Sequence, residues 1–284
     1  MAYVNMKDML RAARDAGYAV GAFNIVDAAT TQAVIRAAEN RRSPVIIQTS
    51  VKTVQLYGAK PLAEWVIAMA EPSAVPVALH LDHCKDKKVV RECLEAGWSS
   101  VMFDGSSMPF DENVAATGEV VQLAHAGDVT VEGELGAIVG VEDEIFVHEQ
   151  DAHLADPDQA IRFVEATGVD CFAPAIGTAH GVYHGEPKIA YDRLEKISRA
   201  CPVPIAIHGG TGLSDEVFRR CIALGGAKIN VSTQIKHFFR NALEQFFKDH
   251  PQEYEPVKSI THMREQVREM VEGFIEQFGS GGKP

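Results

Sequence analysis

The strongest constraint on the fold is an alternation that runs through most of the chain: short β-rich apolar runs, each followed by a stretch of helical periodicity. The runs lie near 19–24 (AVGAFN), 44–49 (PVIIQT), 76–82 (PVALHLD), 100–104 (SVMFD), 129–134 (VTVEGE), 170–175 (DCFAPA), 204–208 (PIAIH) and 227–231 (AKINV). Amphipathic segments such as TTQAVIRAAENR and KKVVRECLEAG lie between them, several opening on Asp, Ser or Thr and closing on Gly, as helix caps do. Eight strands alternating with helices predict a parallel sheet covered by helices.

A closed barrel and an open doubly wound sheet share that local pattern, and the polar residues choose between them. Asn24, Ser50, Asp82, His83, Asp104, Glu134, His180, His208 and Asn230 all fall at or just past the C-terminal end of a predicted strand. A barrel gathers those ends around one mouth, whereas an open sheet spreads them along an edge. The expected fold is therefore an α/β, (β/α)8 TIM barrel. The 284 residues suit a single barrel domain of roughly 250 residues, taken as 1–284, with 232–284 as a C-terminal helical extension. Two connections stand out: the acidic stretch 136–156 after the fifth strand, read as a long loop, and the Gly-rich stretch 177–190 after the sixth. Long loops on the active rim of a barrel are lids or binding loops.

Charge and composition remove several function classes. The net charge of −12, with no Lys/Arg cluster, argues against nucleic acid, whose phosphates demand a basic stripe. No apolar run approaches the roughly 18 residues of a membrane helix, and the N-terminal 20 residues read as an amphipathic helix without a signal peptide. The expectation is a cytoplasmic protein with no membrane partner. Five scattered cysteines, Cys84, Cys93, Cys171, Cys201 and Cys221, read as reduced, buried thiols.

Eleven histidines are present. His125, His148, His153, His237, His250 and His262 sit in helical or polar loop contexts and carry no expected chemistry. His83, His180 and His208 end or follow strands three, six and seven. Three neutral imidazoles make a zinc-type site that keeps a position open for substrate. His80 shares Asp82's strand parity and is expected to point into the barrel and orient a neighbour. His184 is a rival ligand only if its segment is helical, and Cys84 reads as a buried thiol. Gly209, Gly210 and Thr211 after strand seven, and Asn230, Val231, Ser232 and Thr233 closing strand eight, resemble a phosphate cradle of backbone N–H groups. Asp82 adjoins a candidate ligand and suits general acid/base work. Asp104 and Glu134 either hold a metal in an alternative position or orient the histidines. Glu142 lies in an acidic run that by itself reads as a solvated face.

The motifs HLDH (80–83), MFDGS (102–106), VEGELG (131–136), GTAHG (177–181), HGGTG (208–212) and KINVST (228–233), in this order, resemble the class II, metal-dependent ketose-bisphosphate aldolases, over nearly the whole chain. The resemblance implies zinc on His83, His180 and His208, a second divalent site involving Glu134 and Asp104, and an assisting monovalent cation. It implies Asp82 as acid/base at a substrate hydroxyl and Glu142 as a mobile proton carrier. It also implies a dihydroxyacetone phosphate cradle at Gly181, Gly209 to Thr211 and Asn230 to Thr233, with Asn24 and Ser50 on substrate oxygens. The implied substrate is a phosphorylated ketose, fructose 1,6-bisphosphate ahead of tagatose 1,6-bisphosphate, in glycolysis, and the implied assembly a homodimer or homotetramer. Two departures stand out. The loop reads GAIVGVEDE where relatives carry a basic residue and more glycine. After Glu255-Pro256 comes Val257, where the family often places an arginine for the distal phosphate, leaving Lys258 or Arg264 as substitutes. Competing readings are a barrel hydrolase, for which an early H-x-H pair is missing, a Schiff-base aldolase, for which no lysine ends a strand, and a non-catalytic sugar-phosphate binder.

Overall fold

The computed structural model describes residues 2–136, 138–142, 145–147, 153–181 and 187–283, with the backbone alone for 139–142, 145–147 and 180. Eight parallel strands close a barrel: β1 (Val20–Asn24), β2 (Val45–Ser50), β3 (Val77–Cys84), β4 (Ser100–Phe103), β5 (Thr130–Leu135), β8 (Cys171–Pro174), β10 (Ile205–Ile207) and β11 (Gly226–Val231). Each overlaps one of the eight runs expected from sequence. Closure occurs where β1 pairs with β11, in the register Val20↔Lys228 through Phe23↔Val231. The eight-strand TIM barrel with C-terminal helices is thus as expected.

The helices are α1 (Lys7–Ala16), α2 (Ala28–Arg41), α3 (Val51–Tyr57), α4 (Ala59–Ala70), α5 (Lys87–Glu95), α6 (Phe110–His125), α7 (Pro157–Thr167), α8 (Tyr191–Ala200), α9 (Asp215–Ala223), α10 (Thr233–Asp249) and α11 (Pro256–Phe278). Local chemistry starts several of them. Asp27 and Thr30 form a capping box on α2, Asp156 caps α7 ahead of Pro157, and Ser214 caps α9, each satisfying N–H groups that a helix start leaves without partners. Among the described residues no helix is long and apolar enough to cross a membrane.

The apolar core divides in two. The larger part, including Phe23, Leu79, Trp98, Phe163, Phe172 and Phe218, lies between the barrel and its helices. A smaller cluster fills the barrel's N-terminal end, where Met6, Met9, Leu10 and Ala13 from α1 and the residue before it meet Val20, Ala22, Ile46, Ala78, Ala173 and Ala206. With that end plugged by α1, the polar strand ends gather at the opposite, C-terminal mouth.

One connection differs from expectation. The stretch 136–156 is not simply loop: it contains β6 (Val139–Glu142) and β7 (Ile145–Val147), paired antiparallel, and β6 also pairs in parallel with β9 (Ala179–His180). The small sheet β7-β6-β9 lies outside the barrel. Alternating Val139, Val141, Ile145 and Val147 supply the strand pattern that the acidic neighbours masked.

Candidate active site

Period-two alternation sends every second residue of a barrel strand inward. At the C-terminal mouth this brings Asn24, Asp82, Glu134, His208 and Asn230 together, each no more than 3% exposed. Asp82 is gripped from both sides. Asn24 Nδ2 donates to its Oδ2 at 3.0 Å and Asn230 Nδ2 to its Oδ1 at 3.2 Å. Gln48 Nε2 donates to Asn24 Oδ1 at 2.8 Å, so the Asn24 amide must turn its NH2 toward the carboxylate. Ser50 follows on β2 opposite Asp82, its hydroxyl 3.4 Å from Thr53 Oγ1.

Alternation alone would send His83 out of the barrel, since His80 and Asp82 face in. The backbone overrides it. His83 has φ +46°, the left-handed region that non-glycine residues occupy at some cost in strain, and the β3–β4 register shifts across Leu81 to Cys84. The ring is thereby delivered to the mouth, Nε2 lying 2.9 Å from His208 Nδ1. His83 Nδ1 is 3.3 Å from Asp104 Oδ2 and 3.7 Å from Glu134 Oε2, and Glu134 Oε2 is 3.3 Å from His208 Nδ1. Burial opposes ionisation of Asp104, but its contact with His83 and the Ser106 hydroxyl hold the carboxyl well below the usual range. Burial likewise disfavours the His208 cation, yet its hydrogen bond to Glu132 and its contact with Glu134 outweigh it and raise the ring to about 9.

Beneath this layer lies a second one. Glu132, Lys228 and His80 are fully buried inside the barrel. Glu132 Oε1 accepts from His208 Nε2 at 2.8 Å, and Lys228 Nζ lies 2.9 Å from Glu132 Oε2 as a charge contact. Lys228 also donates to Asn230 Oδ1 at 2.7 Å, and His80 Nδ1 is 2.7 Å from Ser100 Oγ. Burial would raise the Glu132 carboxyl, but the Lys228 ammonium and the His208 bond hold it well below the carboxylate range. Burial first, then Lys228, keeps His80 neutral, its pKa well below that of an ordinary histidine. His80 points inward as expected. Glu132, Gln48 and Ser100 carry no sequence signal of their own, and Lys228 begins its run rather than ending it. The parity of Glu134, Asn230, Ser50 and Asp82 points to residues two positions earlier.

His180 and Glu142 have described backbones but side chains outside the described residues; His148 and His184 lie wholly outside. Gly140 pairs with His180 and Glu142 with Ile145, so the strand carrying Glu142 is tied to the strand carrying His180. Of the residues expected to cradle a phosphate, Gly210 spends its N–H on the Asn230 carbonyl at 3.2 Å and Thr211 Oγ1 accepts from Gln234 N at 3.3 Å. Those two groups serve the fold. Among the described residues the buried Ser232 and Thr178 hydroxyls find no hydrogen-bond partner, and Ser232, at the N-cap of α10, makes no side-chain cap. Gly181 (φ +86°) follows β9, and Val231 and Thr233 flank Ser232 at the end of β11 and the start of α10.

A closed barrel with histidines, carboxylates and amides converging at its C-terminal mouth defines a barrel enzyme of the metal-assisted kind. Residues 4–283 match the family model described as Fructose-bisphosphate aldolase class-II. The chain belongs to that family and is a class II aldolase, a lyase. A fructose-bisphosphate aldolase of Geobacillus stearothermophilus is 41% identical over 286 residues, covering 100% of this chain and 99% of the relative. A sulfofructosephosphate aldolase of Alkalicoccus urumqiensis is 40% identical over 283 residues, covering 100% and 99%. Among solved structures, the YdjI aldolase from Escherichia coli K12 matches with a TM-score of 0.88 at 32% identity, covering 99% of this chain and 98% of the other.

Class II aldolases depend on a metal, and the residues here fit one. Ligand atoms of Asp82, His83 and His208 lie within 4.8 Å of one another, as do those of His83, Asp104 and Glu134. Glu134 Oε2 is buried against imidazole nitrogens at 3.3 and 3.7 Å but, among the described residues, accepts no well-formed hydrogen bond, an under-satisfied state for a carboxylate oxygen that a cation relieves. Imidazole nitrogens with carboxylate oxygens suit zinc.

Proposed function

We propose that the protein reversibly cleaves fructose 1,6-bisphosphate to dihydroxyacetone phosphate and glyceraldehyde 3-phosphate, with zinc held by His83, His180 and His208. The reading is carried by one observation: His83 Nε2 and His208 Nδ1 converge at 2.9 Å beside an Asp82 carboxylate clamped by two amides. Bound there, zinc supplies Lewis-acid stabilisation of the negative charge that develops when the carbon–carbon bond breaks. Asp82, fixed in direction by Asn24 and Asn230, takes the proton of the C4 hydroxyl as the C3–C4 bond opens, and returns it in the condensation direction. Glu142 delivers a proton to the carbanionic carbon of the dihydroxyacetone phosphate half. Glu134 and Asp104 orient the His83 and His208 rings and offer a second divalent position.

The Ser232 hydroxyl, with the backbone of Gly181, Gly209, Val231 and Thr233, receives the phosphate of the dihydroxyacetone half; Ser50 contacts a substrate oxygen. Tagatose 1,6-bisphosphate, the C4 epimer, is the second reading. A ketose with a different distal group is the third, favoured by three residues. Val257 is 66% exposed and uncharged, Lys258 Nζ is engaged by Glu253 at 2.5 Å, and Arg264 is engaged by Gln32 and Glu265. The relative acting on sulfofructosephosphate, by its name, fits that third reading.

The test is cleavage of both hexose bisphosphates with a coupled triose phosphate readout, before and after chelation and after zinc is restored. Chelator-sensitive, zinc-restored release of triose phosphates from fructose 1,6-bisphosphate is expected. Turnover that survives complete metal removal, or borohydride trapping of a substrate on lysine, overturns it.

A further inference from the structure

Lys228 is a fully buried cation for which the reaction has no direct use. Its Nζ lies at a branch point: 2.9 Å from Glu132 Oε2 on one side and 2.7 Å from Asn230 Oδ1 on the other. Each arm ends on a group that the proposed function assigns to chemistry. Glu132 reaches His208 Nε2 at 2.8 Å, and Asn230 reaches Asp82 Oδ1 at 3.2 Å. We propose that Lys228 is a positioning residue that sets the metal-ligating nitrogen of His208 through Glu132 and the direction of the Asp82 carboxylate through Asn230. The inference rests on the roles given above to His208 and Asp82.

The physical reason lies in what an ammonium can and cannot do. Lysine has three donors and no acceptor, so Asn230 must present its carbonyl oxygen to Lys228 and therefore its NH2 to Asp82. On the other arm, Lys228 Nζ, 2.9 Å from Glu132 Oε2, holds the carboxylate so that its Oε1 accepts from His208 Nε2 at 2.8 Å. That leaves Nδ1, the nitrogen facing His83, for a metal. Position 228 thus couples the tautomer of a ligand and the orientation of an acid/base to one charge.

Lys228→Met alone strands the Glu132 charge in the barrel and can fail to fold, since breaking a buried pair costs about 3–5 kcal/mol. The informative protein is therefore Lys228→Met/Glu132→Gln, which removes both charges and keeps the volume. It should melt close to the wild type, bind zinc about 10-fold more weakly in chelator competition, and cleave with kcat reduced about 10-fold or more and KM within about twofold. A folded double variant with wild-type zinc affinity and kcat reduces Lys228 to a structural residue and overturns the proposal, as does a loss in only one of the two readouts. If the wild type cleaves neither hexose bisphosphate, the aldolase reading fails separately. Zinc affinity and the Asn230 amide resonances, which should shift in the double variant, then still decide the role of Lys228.

Discussion

Gly209 and Gly17 form a natural pair for testing how tightly the mouth is built. Both have left-handed backbones of nearly equal φ, +68° and +69°, so an alanine at either meets the same intrinsic cost of about 1–2 kcal/mol. Their surroundings differ. A Cβ on Gly17 has nothing within 4 Å, whereas one on Gly209 meets Ala179 O at 2.4 Å, C at 2.8 Å and N at 3.0 Å. That backbone belongs to β9, which carries His180. Separating the two chains by about 1 Å adds an overpacking cost of about 1–3 kcal/mol. Gly209→Ala should therefore lose about 2–5 kcal/mol and Gly17→Ala about 1–2 kcal/mol, measured by urea unfolding of the chelated proteins. The shift should also reach the metal, because ligand distances tolerate only about 0.2 Å. Chelator competition should show zinc affinity at least about 10-fold weaker for Gly209→Ala and unchanged for Gly17→Ala. Equal destabilisation of the two variants, with zinc affinity intact in both, would refute the reasoning that the loop after β10 and the His180 strand are in rigid contact.

The remaining predictions concern single groups. Asp82→Ala should keep its zinc by metal analysis and lose turnover by about 10²–10⁴-fold, the usual range for a general acid/base; a wild-type rate would remove Asp82 from that role. His208→Ala should lose zinc and activity together, and a variant that retains stoichiometric zinc contradicts its place as a ligand. The metal-free His208 ring, raised to about 9, is protonated at pH 7, so an ion taking Nδ1 must displace a proton. Zinc binding should release one proton from this ring at pH 7, and apparent affinity should climb with pH up to about 9 and then level. Calorimetry in buffers of differing ionisation enthalpy counts that proton, and zero release sinks the assignment.

Much of this architecture was legible because barrels write their function at strand ends. Asn24, Asp82, Glu134, His208 and Asn230 could be placed at one mouth from a period of two and eight apolar runs alone. The layer that single runs do not announce lies one period lower. Gln48, His80, Glu132 and Lys228 precede Ser50, Asp82, Glu134 and Asn230 by two residues and share their face; of these only His80 was expected to point inward. Polar residues in mid-strand read as tolerated exceptions when each run is taken singly, and as a layer only when the barrel is closed. His83 was found for a reason that strand geometry does not supply, since alternation points it outward and only a left-handed residue without glycine returns it to the mouth. The β6–β7 pairing was hidden because Asp143-Glu144 between the two strands is not the Asn-Gly or Asp-Gly signature of a tight hairpin.

The polar layer raises a question of cost. Barrel interiors are usually packed with branched aliphatic side chains, yet here the layer at the N-terminal end is alanine-rich and the middle one holds Gln48, His80, Glu132 and Lys228, all fully buried. Replacing a buried ion pair by apolar residues is often neutral or stabilising, so stability does not explain Glu132 and Lys228. The large aromatic and aliphatic contacts that hold the fold lie on the other face of the same strands, against the helices. This division lets the inner face carry Gln48, Glu132 and Lys228, whose chains of contact end on Asp82 or His208. Changes to the inner layer that preserve charge balance should accordingly damage turnover and metal affinity before they damage the fold, whereas truncating Phe163 or Trp98 in the outer core should cost about 3–5 kcal/mol and leave zinc affinity per folded molecule unchanged.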